Sequence, residues 1–128
     1  SYFVMELCEE GSLHNYIKRV KALTPEHART VLFQLLKVIE HLHKQNLCHR
    51  DLSAGNVLIK HITAKGPSIK ICDFGLSKVM EEGIVAQTMA GTPGYMNPYI
   101  IQFVKYGKEV DLYSLGALLY LMLTGEDP

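Results

Sequence analysis

The chain is 128 residues long, 48% of them hydrophobic, and its 13 basic and 13 acidic residues cancel to zero formal charge. That size and apolar content suffice for one core of ordinary domain size, and the balanced charge sets up no global field for nucleic acid or an anionic membrane. The three cysteines, Cys8, Cys48 and Cys72, are odd in number and lie in apolar surroundings, which reads as reduced, buried thiols of a cytosolic or nuclear protein rather than a disulfide framework.

Tyr2 to Leu7 reads as an apolar strand, followed by a Glu9-Glu10-Gly11-Ser12 turn and a short helix from Leu13 toward Val20. Thr24 before Pro25 is an N-cap and first-turn pair. Ala28, Val31, Leu32, Leu35, Leu36, Ile39 and Leu42 then recur at helical spacing, predicting a long amphipathic helix that Asn46 ends. Leu47 and Cys48 lead into a loop at His49. Val57 to Ile59 and Ile69 to Cys72 suggest a hairpin joined by Thr63-Ala64-Lys65-Gly66-Pro67-Ser68, an insertion around 61–68 expected to change only a surface turn. Asp73 to Pro98 holds glycines and prolines with few periodic apolar positions, as in a loop held by specific contacts. A helix from about Lys108 to Leu123 is apolar nearly all round and belongs inside a lobe; its apolar run Leu115 to Leu123 is too short to span a bilayer. The N-terminus has no basic region leading into an apolar stretch and cleavage site.

The chemistry concentrates in His49-Arg50-Asp51-Leu52-Ser53-Ala54-Gly55-Asn56 and Asp73-Phe74-Gly75, with Gly91-Thr92-Pro93-Gly94-Tyr95 beyond them. An aspartate can take the proton of an acceptor hydroxyl, while an amide oxygen and a second carboxylate hold a hard cation against phosphate oxygens. Alone, Asp51 would read as a helix cap, and Asn56 or Asp73 as a turn residue. Taken in this order the three motifs point to phosphoryl transfer. His41 and His43 have no metal spacing, since residues two apart on a helix point in different directions.

These motifs resemble those of eukaryotic protein kinases. The resemblance implies an α+β kinase fold in part: residues 1–11 as the hinge region and 12–128 as part of the C-terminal lobe, with most of the N-terminal lobe and the last helices outside the chain. It implies Asp51 as catalytic base, and Asn56 and Asp73 as Mg²⁺ ligands against ATP. Phe74 would pack on His49 to hold Asp73, and Gly75 would let the loop switch, making His49 structural rather than a base. Met5 would guard the rear of an adenine slot, backbone groups of Glu6 and Cys8 would meet adenine, and Leu58 with Leu13 would form its floor, supported by Leu118 and Met122. Asp111 would accept backbone hydrogen bonds from the catalytic loop. Thr88 stands where many kinases are phosphorylated, with Arg50 and Lys78 as clamps for the added phosphate. Thr92 resembles the threonine that bonds the catalytic aspartate in serine/threonine kinases, so Ser or Thr of proteins is the expected acceptor.

Two departures stand out. Ser53 replaces the usual Lys, removing a charge that would offset the transferring phosphate, and Asn97-Pro98-Tyr99 replaces Ala-Pro-Glu, removing a carboxylate tether. Ser53, Glu6-Leu7-Cys8, Gly11, Val20-Lys21, Ala28-Arg29 and Thr88 to Tyr95 are similar to the polo-like kinase four, or SAK, branch. That likeness implies a role in centriole duplication, a cytoplasmic and centrosomal location, polo boxes beyond this chain and homodimers through regions outside it. Nucleic acid and membrane are not expected partners. Ser53 and Tyr99 keep two other readings open, a pseudokinase scaffold and a nucleotide-binding module without turnover.

Overall fold

The computed structural model describes residue 8 and residues 10–72, 78–79, 92–98 and 108–128, with 78 and 79 described by backbone alone. The expected strand Tyr2 to Leu7 lies outside the described residues. The order of elements is helix α1 (Leu13–Val20), helix α2 (Pro25–Lys44), strand β1 (Leu47–Cys48), a short 3₁₀ turn (Ala54–Asn56), strands β2 (Val57–Thr63), β3 (Gly66–Ile71) and β4 (Lys78–Val79), and helix α3 (Val110–Thr124). Helices and short antiparallel pairs together give the expected α+β class.

Local chemistry sets each helix end. The Ser12 hydroxyl accepts from Asn15 N–H at 3.2 Å to start α1, and Lys18 and Arg19 in its last turn complement the helix dipole. The Thr24 hydroxyl accepts from His27 N–H at 3.2 Å, with Pro25 in the first turn of α2. Along α2, Ala28, Val31, Leu35, Ile39 and Leu42 form one buried stripe. Leu36 lies off that stripe and is 42% exposed, although its spacing suggested the core. The helix stops at Lys44, and Asn46 takes a left-handed φ of 57° that turns the chain into β1.

The hairpin differs from expectation. Both strands run on, so that Thr63 pairs with Gly66 and only Ala64 and Lys65 form the turn. Thr63 Oγ1 donates to the Gly66 carbonyl at 2.7 Å, closing it locally. The returning strand is more than a surface turn, because it docks on α2. Gln34 Nε2 donates to the Pro67 carbonyl at 2.9 Å, and Gln34 Oε1 accepts from Ile69 N–H at 3.0 Å. Gly66 and Pro67 are buried there. Within the segment expected as loop, β4 pairs antiparallel with β1, Leu47 opposite Val79 and Cys48 opposite Lys78.

Helix α3 starts at Val110, two residues after the expected start, and crosses the core with Leu115, Leu118, Leu121 and Met122. On its other face Leu112 and Tyr113 are 54% and 45% exposed. Gly125 ends the helix in the left-handed region at φ 77°, its N–H bonded to the Leu121 carbonyl. A Cβ there would stand 1.9 Å from the Lys21 carbonyl oxygen, so glycine is required. Leu23 N–H donates to the Met122 carbonyl at 2.7 Å, tying the α1–α2 corner to the same helix end. The core thus joins Leu13 and Ile17 of α1, the α2 stripe, Val57 and Ile59 of β2, Leu52 and α3. Each fully buried aliphatic chain contributes about 1.5–3 kcal/mol. No helix of the described residues is long and apolar enough to cross a membrane.

Candidate active site

The loop between β1 and the 3₁₀ turn is shaped by one buried carboxylate. Asp111, fully buried in the first turn of α3, accepts His49 N–H at 3.0 Å on Oδ2 and Arg50 N–H at 2.9 Å on Oδ1. His43 Nε2 reaches Oδ2 at 2.8 Å. Burial would raise the Asp111 pKa, but the His43 bond and the two backbone donors outweigh it and hold the carboxyl below its ordinary range. Arg50, bonded this way, adopts a left-handed φ of 70°, a strain the two loop bonds sustain.

His49 is fully buried and bonded on both ring nitrogens. Asp51 N–H donates to Nδ1 at 3.1 Å, so Nε2 carries the proton and donates to the Cys72 carbonyl at 3.2 Å. A ring engaged on both sides orients the loop and leaves no nitrogen to act as base.

The Asp51 side chain is held from two directions. Thr92 Oγ1 donates to Oδ1 at 2.5 Å, and Asn56 Nδ2 donates to Oδ2 at 2.9 Å as well as to the Asp51 carbonyl at 2.9 Å. Each carboxylate oxygen keeps a second lone-pair direction, so the group can still accept a substrate hydroxyl proton. With its amide nitrogen committed, Asn56 turns Oδ1 to the other side. That oxygen accepts no hydrogen bond among the described residues, and a neutral oxygen donor of this kind suits Mg²⁺. Among the described residues no group of three or more His, Cys, Asp or Glu gathers around a common point.

Thr92 also lines a cleft of about 410 Å³ with Ser53, Ala54, Gly55, Tyr95 and His14. Ser53 is 5% exposed, and its hydroxyl has no partner among the described residues. Tyr95 is buried, which pushes its phenol pKa up; an Ala54 N–H bond opposes that shift and the Asp127 charge adds to it. Ser114 on α3 donates to the Tyr95 carbonyl at 2.7 Å. One helix therefore holds both the loop at His49 and Arg50, through Asp111, and the wall at Tyr95, through Ser114.

The structure thus brings Asp51, Asn56, His49, Arg50, Thr92 and Asp111 into one network. Leu58 lies half-buried opposite Ser12, a position fixed by the Ile59 N–H to Gly11 carbonyl bond at 2.8 Å, while Leu13, Leu118 and Met122 are fully buried beneath. Cys8 stands near this edge, its carbonyl accepting Gly11 N–H at 3.1 Å. Met5, Glu6, Asp73, Phe74, Gly75, Thr88 and Tyr99 lie outside the described residues, as does the side chain of Lys78. Cys8 and Cys72 are half-buried rather than buried; only Cys48 is enclosed, and burial beside the Asp111 charge pushes its thiol pKa well up. Sequence reading weighed His43 only as a metal ligand; it stands four residues after Ile39 and so continues the buried stripe of α2. A polar side chain on an apolar stripe was the available sign that it had an internal partner.

A protein-family model and several known relatives match the chain over all or nearly all of its length. The model of the protein kinase domain matches residues 1–128. The probable serine/threonine-protein kinase zyg-1 of Caenorhabditis elegans is 44% identical over 128 residues, all of this chain and 18% of the relative. The probable serine/threonine-protein kinase fhkD of Dictyostelium discoideum is 38% identical over 139 residues, covering 99% of this chain and 19% of its own length. Calcium/calmodulin-dependent protein kinase type IV of Mus musculus is 38% identical over 125 residues, covering 98% and 26%. The chain spans between about a fifth and a quarter of these relatives. With the domain match running from the first residue to the last and the Asp51 network at its centre, the chain belongs to the protein kinase domain family.

Proposed function

We propose that the protein carrying this chain transfers the γ-phosphate of ATP to Ser or Thr hydroxyls of proteins, with Asp51 as the catalytic base. The observation that carries this reading is the Asp51 carboxylate, held by Thr92 at 2.5 Å and Asn56 at 2.9 Å yet still able to take a proton. Asn56 Oδ1 and the Asp73 carboxylate would hold Mg²⁺, which when bound neutralises charge on the phosphate oxygens. Asp51 orients the acceptor hydroxyl and receives its proton, while Thr92 and Asn56 fix the rotamer of that carboxylate. Adenine would lie against Leu58 and the backbone of Glu6 and Cys8, behind Met5. Phosphate on Thr88, met by Arg50 and Lys78, would order the segment leading to Thr92.

Within the family, the 44% identity to zyg-1 and the Ser53 and Thr88 to Tyr95 likeness favour the polo-like kinase four branch. Centriole duplication, a centrosomal and cytoplasmic location and homodimers made outside this chain follow from that branch. One observation favours a second reading, an ATP-binding scaffold without turnover: the buried Ser53 hydroxyl stands where a lysine would supply charge.

Labelled ATP and a generic protein acceptor, given to the full-length protein, decide between them. Asp51→Asn is expected to lower kcat by about 10²–10⁴-fold, and Asp73→Ala to abolish Mg²⁺-dependent transfer. A wild type that binds ATP without turnover establishes the scaffold reading, and activity unchanged in Asp73→Ala removes the metal assignment. Phosphopeptide mapping of the same active preparation tests Thr88: full activity without phosphate there removes it as a regulatory site.

A further inference from the structure

The cleft beside Asp51 ends on a carboxylate that the transfer step does not use. Asp127 lines it together with His14, Ser53, Gly55, Thr92 and Tyr95, and it is exposed, with no ion-pair partner among the described residues. Two left-handed glycines put it there. Gly125, at φ 77°, ends α3 against the Lys21 carbonyl, and Gly94, at φ 89°, admits the Pro128 carbonyl so closely that a Cβ on residue 94 would stand 2.9 Å from its oxygen. The segment after α3 thereby lies against the turn from which Thr92 reaches Asp51.

The rest of the lining suits a cation. The Tyr95 ring forms part of the wall, and Asp127 stands near enough that its charge adds to the rise that burial produces in the phenol pKa. An aromatic ring beside a carboxylate is a pair of groups that receives a guanidinium or an ammonium. The Ser53 hydroxyl, 5% exposed and without a partner among the described residues, adds an oxygen that can accept from it, and His14 as a neutral imidazole adds a nitrogen. Gly55 leaves the space between them open, since a Cβ there would meet only Ser53 Oγ, at 3.9 Å. Among the described residues no lysine or arginine lines the cleft.

We propose that this cleft is a substrate subsite for an arginine or lysine side chain close to the phosphorylated Ser or Thr, with Asp127 as the residue that selects for it. The proposal rests on the reading of Asp51 as the base that receives the proton of that hydroxyl. A cleft of about 410 Å³ is about 7 Å across, which an extended segment covers in about two residues, so the cationic residue falls within about three positions of the phosphorylated one. Arginine is favoured over lysine, because its planar guanidinium is more weakly hydrated and stacks on a ring.

The test gives the full-length protein a peptide series in which one arginine is moved position by position along both sides of a serine, against the same peptides with norleucine there. Transfer is followed as kcat/KM, and binding is followed with peptides carrying alanine in place of the serine. At a position within that reach arginine is expected to raise kcat/KM about five- to tenfold over norleucine, through a lower KM, and the gain is expected to shrink as salt is raised. Asp127→Asn is expected to bring the ratio to about one, and Asp127→Lys to favour glutamate at the same position. Arginine without advantage at every position, or an advantage that survives in Asp127→Asn, overturns the proposal. If Asp127→Lys does not fold, Asp127→Asn decides alone, since it keeps the shape of an exposed side chain. A wild type without transfer activity counts against the kinase reading, and binding then judges Asp127 by itself: tighter binding of the arginine peptide that is lost in Asp127→Asn supports the subsite, and equal binding of the arginine and norleucine peptides overturns it.

Discussion

Asp51 has both carboxylate oxygens engaged, and the partners come from different parts of the chain: Asn56 from the next turn, Thr92 from |i−j| = 41 away. The short-range part of that arrangement was readable from residue order, because Asp51 and Asn56 sit in one loop. Their hydrogen bonds and the commitment of the Asn56 amide nitrogen were not, since nothing in the order of residues fixes which side of an amide faces a carboxylate. Ser53 is the residue where composition and chemistry diverge most. Its hydroxyl is buried on the cleft wall without a partner among the described residues, so a lysine placed there would enter the same cleft as Thr92 and Tyr95. If the site has adapted to the missing charge, Ser53→Lys brings little gain, and single-turnover rates of the full-length proteins agree within about threefold. If it has not, the lysine restores the roughly 2–4 kcal/mol scale of one transition-state contact. A wild type inert until rescued by lysine would therefore mark a decayed site.

At the scale of elements, helix starts were legible because Ser12 and Thr24 advertise themselves as caps, and the α2 stripe because 3.6-residue spacing survives without knowledge of partners. The hairpin was less legible. Gly66 and Pro67 looked like turn residues, yet Gly66 takes φ 124° to close a two-residue turn, and Pro67 lends its carbonyl to Gln34 of α2. A tertiary contact overrode the local signal. The end of α3 gives a sharper test. Gly125→Ala must hold a left-handed residue, at about 1–2 kcal/mol, and also push a methyl into the Lys21 carbonyl. We expect the urea midpoint of the full-length protein to fall with an unchanged m-value. Gly116→Ala inside the same helix, where a Cβ meets nothing within 4 Å, is the contrasting control and is expected to stabilise by about 0.5–1 kcal/mol. Equal behaviour of the two variants would show that the α1–α2 corner does not press on this helix end.

Across the whole molecule, Asp111 joins α2, the loop bearing Asp51 and α3, so its ionisation bears on their assembly. Its folded pKa is held below the unfolded value, which means its stabilisation is complete above the unfolded value of about 3.9 and is lost as pH falls through the folded value. Acid unfolding of the full-length protein is expected to steepen below about pH 4, and Asp111→Asn to flatten that limb while lowering stability at neutral pH. A limb unchanged in the variant would assign it to other carboxylates. The expected buried aspartate at this position came from family resemblance; the His43 contact that completes it depends on chain segments far apart in sequence and emerged only with the fold. That separation also sets a schedule. Asp111 follows His49 by |i−j| = 62, so at ribosomal speeds of about 5–20 residues per second the loop bearing Asp51 leaves synthesis roughly 3–12 s before its anchor is made. During that interval the nascent chain carries Asp51 and Asn56 without the carboxylate that shapes their loop, so on the proposed reading transfer can begin only once α3 has been translated.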